Sequence, residues 1–412
     1  MRGGDTTGLR AYNERLIIHA LLRAGALSKA EIARETGLSG QAASVIVNRL
    51  LAEGLLIKRD KVRGQVGQPS TPIAPNPKGA FSLGVKIGRR SVEAILVNLV
   101  GEVIASAQES YDAPLPEETV RLAIAQASDL LASLDAASRK RVVGLGIAMP
   151  SELESWAPEL DLAPGTLDAW RDIDVAAALQ EATGLPASLH NDATAACAAE
   201  VILGDAVTRR SALYLYLGTF IGGGIVIDGK LYRGEQFNAG AIGSMPTAHQ
   251  SATGAPQQLI HTASIIQLQQ AFIEEGIDAG EALLRGDDVP GAARIFDVWA
   301  LQAAEEMARA VISAMSVIDF ETIVVDGLLP PAWRTRITGH LAEAVQDFNR
   351  LGLSRAEIVS GSVGPVARVL GAAMLPLQAR FSPNTDLLVR QTITRQSDAE
   401  APPSFANEPQ TG

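Results

Sequence analysis

Apolar residues recur with helical spacing in three short stretches near the start of the chain. The first stretch predicts a helix over residues 13–23, with an apolar face formed by Leu16, Ile17, Ala20 and Leu21. A second helix should begin after Ser28, because Ser28 and Glu31 have the spacing of a capping box, and it should end at Gly37. Ser39 is expected to cap a third helix that runs to about residue 53.

The third helix has two different faces. The inner face is apolar, whereas the outer face carries small and polar residues, a composition that fits the major groove of DNA. Two short helices joined by a glycine turn are typical of a helix-turn-helix. A strand is predicted from residue 54 and a basic, glycine-rich wing over residues 59–69. The residues predicted to contact DNA are Lys29, Ser39, Gln41, Ala42, Ser44, Val45, Asn48, Arg49, Arg63 and Gln65.

The predicted contact residues fall into two groups, those suited to base edges and those suited to phosphates. Gln41 can bond an adenine bidentately, Asn48 is the other candidate for reading a base, and Ala42 or Val45 can touch a thymine methyl group. Lys29, Arg49 and Arg63 are suited to phosphates, which set the register without reading sequence. The competing interpretation is a helical bundle that binds protein.

The charge distribution supports DNA as the partner of the first domain. Residues 1–72 contain 11 basic and 6 acidic side chains, although the whole chain has 35 Lys and Arg, 46 Asp and Glu, and a net charge of −11. A basic head on an acidic body indicates that only the head meets an anionic polymer.

The rest of the chain predicts a larger α/β domain. Four prolines in residues 67–77 predict a stiff, extended connector. Three strands then lead to a helix and a buried strand over residues 142–148. A second half follows from residue 174, with further helices and strands, a tight hairpin at Asp228-Gly229 and a long helix over residues 257–275. Two such halves predict the two-lobed actin-like ATPase architecture, of the ribonuclease H-like type found in sugar kinases. We therefore divide the chain into a winged helix-turn-helix with linker (1–75), an effector and oligomerisation domain (76–390) and a disordered tail (391–412).

Composition narrows the class further. No apolar run reaches the roughly 18 residues that cross a bilayer, and no signal-peptide pattern is present, so we expect a cytoplasmic protein. The single cysteine, Cys197, is incompatible with an internal disulfide framework and with a cysteine-rich zinc site.

Several motifs together resemble the ROK family (repressors, open reading frames and kinases), and in particular its repressor branch. The motifs are the glycine-rich run over residues 217–225, His190-Asn191-Asp192, the segment 227–234, the segment 362–371 and the helix-turn-helix itself. The resemblance covers about residues 10–380. It implies a DNA-binding transcription regulator, most simply a repressor, that controls carbohydrate-related or other metabolic genes.

The resemblance also indicates that kinase chemistry is absent. Family kinases hold ATP phosphates and metal with a loop of the form Asp-x-Gly-Gly-Thr, which here is the segment from Lys86 to Arg90. The acid that helps to hold Mg²⁺ has become lysine. Lys86, Arg89 and Arg90 can pair with a phosphate as point charges, but we favour the interpretation that they are solvated charges on a turn.

The sugar and zinc motifs have changed as well. The family's Glu-x-Gly-His is Ala241-Ile242-Gly243-Ser244 here, and the cysteine-rich zinc loop contains no cysteine around Gln258-Leu259-Ile260. His249 and His261 alone make a poor zinc site. Of the family's substrate loop, Trp170 remains and the matching asparagine does not. We therefore expect no catalytic residues, no metal and no cofactor.

The polar residues still expected near the cleft define a candidate effector site: Asn191, Asp192, Gly223, Glu235 and Asn238. Asp192 has an alternative role as a helix cap, because an acidic residue at a helix N-terminus satisfies free amides. We expect a homodimer or homotetramer on a palindromic operator, with an effector that changes DNA affinity. The alternatives are a large domain that binds a protein partner, and an active sugar kinase.

Overall fold

The computed structural model describes residues 6–60, 71–151, 153–160, 162–206, 210–250 and 254–383. A small head precedes two α/β lobes. The head contains α1 (Thr6–Ala24), α2 (Lys29–Thr36), α3 (Gly40–Ala52), β1 (Leu56–Lys58) and β2 (Ile73–Pro75). Lobe one contains β3 (Phe81–Ile87), β4 (Ser91–Asn98), β5 (Val103–Ser110), α4 (Pro116–Ala132), α5 (Ala136–Arg139), β6 (Val142–Met149), α6 (Val175–Thr183), β7 (Ala187–Asn191) and α7 (Asp192–Leu203).

Lobe two completes the fold. It contains β8 (Ala212–Leu217), β9 (Ile221–Ile227), β10 (Lys230–Tyr232), β11 (Pro246–Gln250), β12 (Pro256–Gln258), α8 (Ile265–Glu274), α9 (Ala279–Arg285), α10 (Ala292–Met315), β13 (Thr322–Gly327), α11 (Pro331–Asp347) and β14 (Glu357–Ser360). The last helix, α12 (Ala367–Phe381), returns to pack on lobe one.

The two lobes share one sheet topology. Lobe one has the strand order β5-β4-β3-β6-β7, and lobe two has β10-β9-β8-β13-β14. In each sheet the first three strands are antiparallel and the last two run parallel to the first. This repeat confirms the predicted two-lobed actin-like architecture behind a winged helix-turn-helix.

Helices α12 and α7 lie between the two sheets, and small residues bring all four layers into close contact. A Cβ at Gly84 of β3 would lie 2.5 Å from the Val369 carbonyl oxygen of α12. A Cβ at Gly371 of α12 would lie 1.7 Å from the Ala195 carbonyl oxygen of α7, and one at Gly224 of β9 would lie 2.5 Å from Cys197. Glycine is required at these positions because a side chain would overlap backbone at Gly84 and Gly371 and the Cys197 side chain at Gly224.

The head packs on lobe one and on the end of α12. Apolar residues of α1, α2 and α3 form one continuous core cluster with residues of β4 and α12. At the surface of this contact, Arg15 of α1 donates to the Ala379 carbonyl at 3.2 Å, near the C-terminal end of α12. Arg141 of lobe one donates to the Gly79 carbonyl at 3.3 Å and lies against Gly54 of the head.

Part of the connector predicted over residues 67–77 belongs to the wing instead. Residues 73–75 are not linker but strand β2, which pairs antiparallel with β1 and also bridges to Leu27. An edge strand tolerates proline, because one side of it needs no ladder donor, and Pro75 ends this strand. The wing tip with Arg63 and Gln65, and the predicted tail, lie outside the described residues.

Other predicted elements occur with shifted boundaries. Helix α1 begins at Thr6, and Ile18 replaces Leu16 on its buried face. The helix predicted over residues 257–275 begins only at Ile265, because Pro256–Gln258 pairs with β11. The glycine run 222–224 lies in strand β9. The Asp228-Gly229 hairpin is confirmed, with φ of 54° and 72° at its two central residues.

The close approach of α12 to α7 predicts that Gly371→Ala will destabilise the protein. We expect a loss of about 1–3 kcal/mol in the free energy of unfolding, because the new methyl group overlaps the Ala195 carbonyl. Gly339→Ala on α11 is the control, since nothing lies within 4 Å of a Cβ there and a helix-interior alanine should stabilise by about 0.5–1 kcal/mol. Urea unfolding of the two variants measures these changes. Equal unfolding midpoints for Gly371→Ala and Gly339→Ala would contradict the packing argument.

Candidate functional site

The two helices of the helix-turn-helix are fixed by local hydrogen bonds. The Ser28 hydroxyl accepts from the Glu31 amide at 3.3 Å, and the Glu31 carboxylate accepts from the Ser28 amide at 2.7 Å. Gly37 ends α2 with φ of 67°. Ser39 caps α3 by accepting from the Ala42 amide at 3.2 Å. The capping box and the glycine turn predicted from the sequence are therefore present.

The outer face of α3 is exposed and polar. Gln41, Val45 and Asn48 are exposed, with Val45 at 65 %. Lys29 at the start of α2 reaches across to this face, where its Nζ donates to the Asn48 Oδ1 at 2.8 Å and to the Ser44 Oγ at 3.3 Å. The ammonium group of Lys29 is thus held beside Asn48, while the Gln41 side chain is exposed to solvent.

Two predicted contact residues have other partners in this structure. Arg49 forms ion pairs with Glu14 of α1 and, at 3.5 Å, with Glu53, so that its guanidinium joins α3 to α1. The hydroxyl of Ser39 is used for capping. At the described base of the wing, Lys58 and Arg59 are exposed basic residues that the sequence-based choice of contact residues missed. The sequence feature that could have indicated them is their position at the start of the basic wing segment, residues 59–69.

A cavity of about 470 Å³ opens between the lobes. It is lined by the end of β6, the start of α7, the β8–β9 turn and the loop after β10. Its described lining includes Arg89, Ser151, Trp156, Asn191, Asp192, Phe220, Gly223, Asn238, Ser244 and His261. A second cavity of about 370 Å³ shares Pro150, Ser151, Asn191 and Asn238 with it and extends towards Trp170 and His190. Burial, and secondarily Arg233, lowers the pKa of His190 to about 4.

Four of the five predicted effector residues line the first cavity. Asn191 is the cap of α7, since its Oδ1 accepts from the Ala193 amide at 3.0 Å. Asp192 accepts from the Ala193 amide through its Oδ1 at 2.9 Å, as the cap alternative predicts, and its Oδ2 accepts from Arg368 at 3.1 Å. The fifth, Glu235, is exposed and is not among the described residues that line either cavity. It lies in a loop that is closed by a 3.0 Å hydrogen bond from the Ala239 amide to the Arg233 carbonyl.

The interpretation of Lys86 and Arg89 as solvated charges is wrong. Lys86 is buried and donates to Glu93 at 2.5 Å. Burial, together with the nearby Arg368, lowers the pKa of Lys86 to about 8, although Glu93 opposes this shift. The Arg89 guanidinium lies 3.6 Å from the centre of the Trp156 ring and 4.5 Å from that of Phe220. Only Arg90 is an exposed charge on the turn.

Arg368, a buried residue that pairs with Asp192 of the cavity wall, was missed by sequence reasoning. It is the second residue of α12, and its guanidinium lies 5.1 Å from the Tyr216 ring as well as beside Asp192. Although burial opposes its charged form, Tyr216, Asp192 and Glu93 raise the pKa of Arg368. The 362–371 motif contained this arginine, but nothing in the sequence placed it against Asp192.

Within the described ranges of the chain, no helix is long and apolar enough to cross a membrane. No group of three or more His, Cys, Asp and Glu residues there is arranged to hold a metal ion. His249 is largely exposed and faces Glu306 at 3.5 Å, whereas His261 lies in the wall of the first cavity.

Comparisons with known proteins agree with both parts of the fold. Residues 82–379 match the ROK family model, and residues 11–64 match a MarR family model. An uncharacterized protein of Sinorhizobium fredii is 28 % identical over 90 % of this chain and 92 % of its own length. The xylose repressor of Bacillus spizizenii is 27 % identical over 58 % of this chain and 62 % of the repressor.

A solved structure extends the similarity of fold to head and body together. A ROK family transcriptional regulator, a homologue of the E. coli Mlc protein, superposes with a TM-score of 0.66. It is 18 % identical and covers 91 % of this chain and 97 % of its own. Head and body together define a transcriptional regulator with a winged helix-turn-helix DNA-binding domain. The chain belongs to the ROK family.

Proposed function

We propose that the chain recognises operator DNA through the outer face of α3 and represses carbohydrate-related or other metabolic genes. The observation that carries the proposal is the exposed Gln41, Val45 and Asn48 on a helix whose N-terminus is capped and set by a glycine turn. The N-terminal residues of such a helix reach base edges in the major groove. The similarity to a protein named xylose repressor supports sugar metabolism as the controlled process.

The roles of the head residues follow from their contacts. Gln41 is free to bond an adenine, and the exposed Val45 can touch a thymine methyl group, with Ala42 beside it. Asn48 and Ser44 are held by Lys29, so Lys29 can contact a phosphate while it orients Asn48. Arg49 would have to break its ion pairs with Glu14 and Glu53 before it could contact DNA. We therefore propose that it holds α3 against α1. Arg63 and Gln65 of the wing remain predictions.

A palindromic operator is the expected target. A homodimer or homotetramer would present two copies of α3 to two half-sites, and the spacing of the half-sites would follow the symmetry of the protein. The unequal charge of head and body fits this arrangement, because only the basic head should approach the phosphates.

The test is selection of genomic DNA followed by titration of variants. Gln41→Ala should weaken binding to the selected operator by about 1–3 kcal/mol and relax the base preference at one position in each half-site. Lys29→Gln should weaken binding to unrelated DNA as well as to the operator, and should lower the salt dependence of both. Gln346→Ala, an exposed glutamine of α11, is the matched control and should bind like the parent protein. Unchanged base preference in Gln41→Ala would contradict the assignment.

We further propose that the body has no kinase activity. The position that carries the metal-binding acid in family kinases is Lys86, which is already paired with Glu93. Arg89, Trp156 and Phe220 crowd the turn where phosphates would lie. We therefore expect no phosphorylated product when the protein is incubated with ATP, Mg²⁺ and a panel of hexoses, measured by product chromatography. Turnover would refute this part of the proposal.

The cleft is proposed to regulate the head through α12. Arg368 at one end of α12 is tied to Asp192 in the cavity wall, and the carbonyl of Ala379 at the other end accepts from Arg15 of the head. A helix of this length spans roughly 20 Å. An effector that prefers one arrangement of the lobes would move α12 and so change the position of α1 and α3, which is the requirement for coupling between two sites.

Replacing Arg368 tests this connection. Arg368→Met should change the Kd for operator DNA by about fivefold or more, since it releases α12 from Asp192 far from the DNA-binding face. Arg334→Met is the matched control, because Arg334 is equally buried and pairs with Asp326 at 3.2 Å, but lies on α11. Both variants should lose stability, so DNA affinity is measured at a temperature where both are folded. Equal DNA affinities in the two variants would contradict the connection.

A further inference from the structure

Arg89 is a partly buried residue of the cleft, and its neighbours differ from those of the buried basic side chains in the described part of the chain. Lys86 faces Glu93, Arg368 faces Asp192 and Arg334 faces Asp326. Arg89 faces two aromatic rings and the cavity. Its Nε is buried and has no hydrogen-bond partner among the described residues.

A desolvated guanidinium without a carboxylate is costly. Contact with an aromatic ring face returns only part of the lost hydration energy. Burial lowers the pKa of Arg89 to about 10, with Arg368 contributing in the same direction and Asp192 opposing. A planar guanidinium of this kind is matched by an oxyanion that accepts two parallel hydrogen bonds. The missing acceptor therefore points to a ligand.

The charge of the cavity wall leads to the same conclusion. Among the described lining residues, Asp192 is the carboxylate, and its charge is balanced by Arg368 at 3.1 Å. Arg89 adds a positive charge that no described carboxylate balances through an ion pair. The described lining also presents amide and hydroxyl groups from Ser151, Asn191, Asn238 and Ser244, together with the imidazole of His261.

We propose that the effector of this cleft is a small polyhydroxylated anion whose carboxylate or phosphate group is bound by Arg89. Its hydroxyl groups would bond the neutral amides and hydroxyls of the wall. This inference rests on the proposed function, since it specifies the ligand class of the same regulatory cleft.

The position of Arg89 also gives the anion a means of regulation. Arg89 and Trp156 belong to lobe one, whereas Phe220 belongs to the β8–β9 turn of lobe two, with the Trp156 and Phe220 ring centres 4.2 Å apart. An anion that moves the Arg89 guanidinium would disturb this contact between the lobes. Binding would then favour one separation of the lobes, as a regulatory ligand must.

Calorimetric titration of the full chain tests the ligand class with matched probes. The probes are D-glucose, D-glucuronate, glucose 6-phosphate and inorganic phosphate. We expect at least one organic anion to bind more tightly than glucose, with saturation at millimolar concentration or below. Preference for glucuronate would identify a carboxylate ligand, and preference for glucose 6-phosphate a phosphate ligand. Binding of glucose as tight as that of both anions, or no saturable binding of either organic anion, would overturn the proposal.

Three variants locate the anion. Arg89→Gln should weaken binding of the preferred anion by about 10- to 100-fold. The anion affinity of Arg89→Lys should lie between those of the parent protein and Arg89→Gln, because lysine keeps the charge and loses the planar donor pair. Arg90→Gln is the control, since the adjacent Arg90 is exposed and donates to the Asp112 carbonyl. Unchanged anion affinity in Arg89→Gln would overturn the assignment of Arg89.

Operator binding without ligand, measured on the same preparations, separates the two proposals. A protein that binds no operator but prefers an anion through Arg89 would refute the proposed regulation and leave the ligand class standing. A protein that binds operator and shows no anion preference would refute only the ligand class. Circular dichroism and thermal unfolding of each variant check that it is folded.

Discussion

The contact between α12 and α7 is the interaction on which the rest of this structure depends. Each helix packs on one sheet, so the distance between the helices sets the distance between the lobes. That distance is fixed by small residues, because Gly371 allows the Ala195 carbonyl of α7 to approach the backbone of α12. A larger residue at Gly84, Gly224 or Gly371 would separate layers that now form one core.

The same packing explains why the cleft and the head are connected. Helix α12 is held against sheet and helix along its length, so a displacement at Arg368 cannot be absorbed by loose contacts around it. Its far end shares a core cluster with the head and carries the carbonyl that accepts from Arg15. The body therefore provides a two-lobed scaffold whose last helix begins beside the cavity and ends beside α1.

The charges of the cleft form a consistent pattern. Lys86 is paired with Glu93, and Arg368 with Asp192, so these charged groups of the cleft are engaged in internal ion pairs. Buried pairs of this kind leave little net charge, because each cation is opposite a carboxylate. Arg89 is the exception, and its aromatic neighbours come from both lobes. We interpret this as a site whose ligand supplies the missing negative charge.

Sequence patterns predicted the local elements better than the contacts between distant ones. Capping residues such as Ser28, Gly37 and Ser39 act within one helical turn, and the strands of both sheets have clear apolar runs, so the head and the two-lobed body could both be predicted. The pairing of residues 73–75 with β1 was missed because prolines dominated that segment. The burial of Lys86 and Arg89 was missed because their partners, Glu93 and Phe220, become neighbours only in the folded protein. Glu235 was expected near the cleft as a polar residue, but it is exposed and outside the described lining of both cavities.

Hydrogen–deuterium exchange of the full chain with and without selected operator DNA tests the central claim most directly. Coupling between two sites is reciprocal, so DNA that is bound by the head must also affect the cleft if α12 connects them. We predict altered exchange in α3 and α1, and also in α12 and at the start of α7 near Asp192. Changes confined to the head, with α12 and α7 exchanging as in the free protein, would contradict the account.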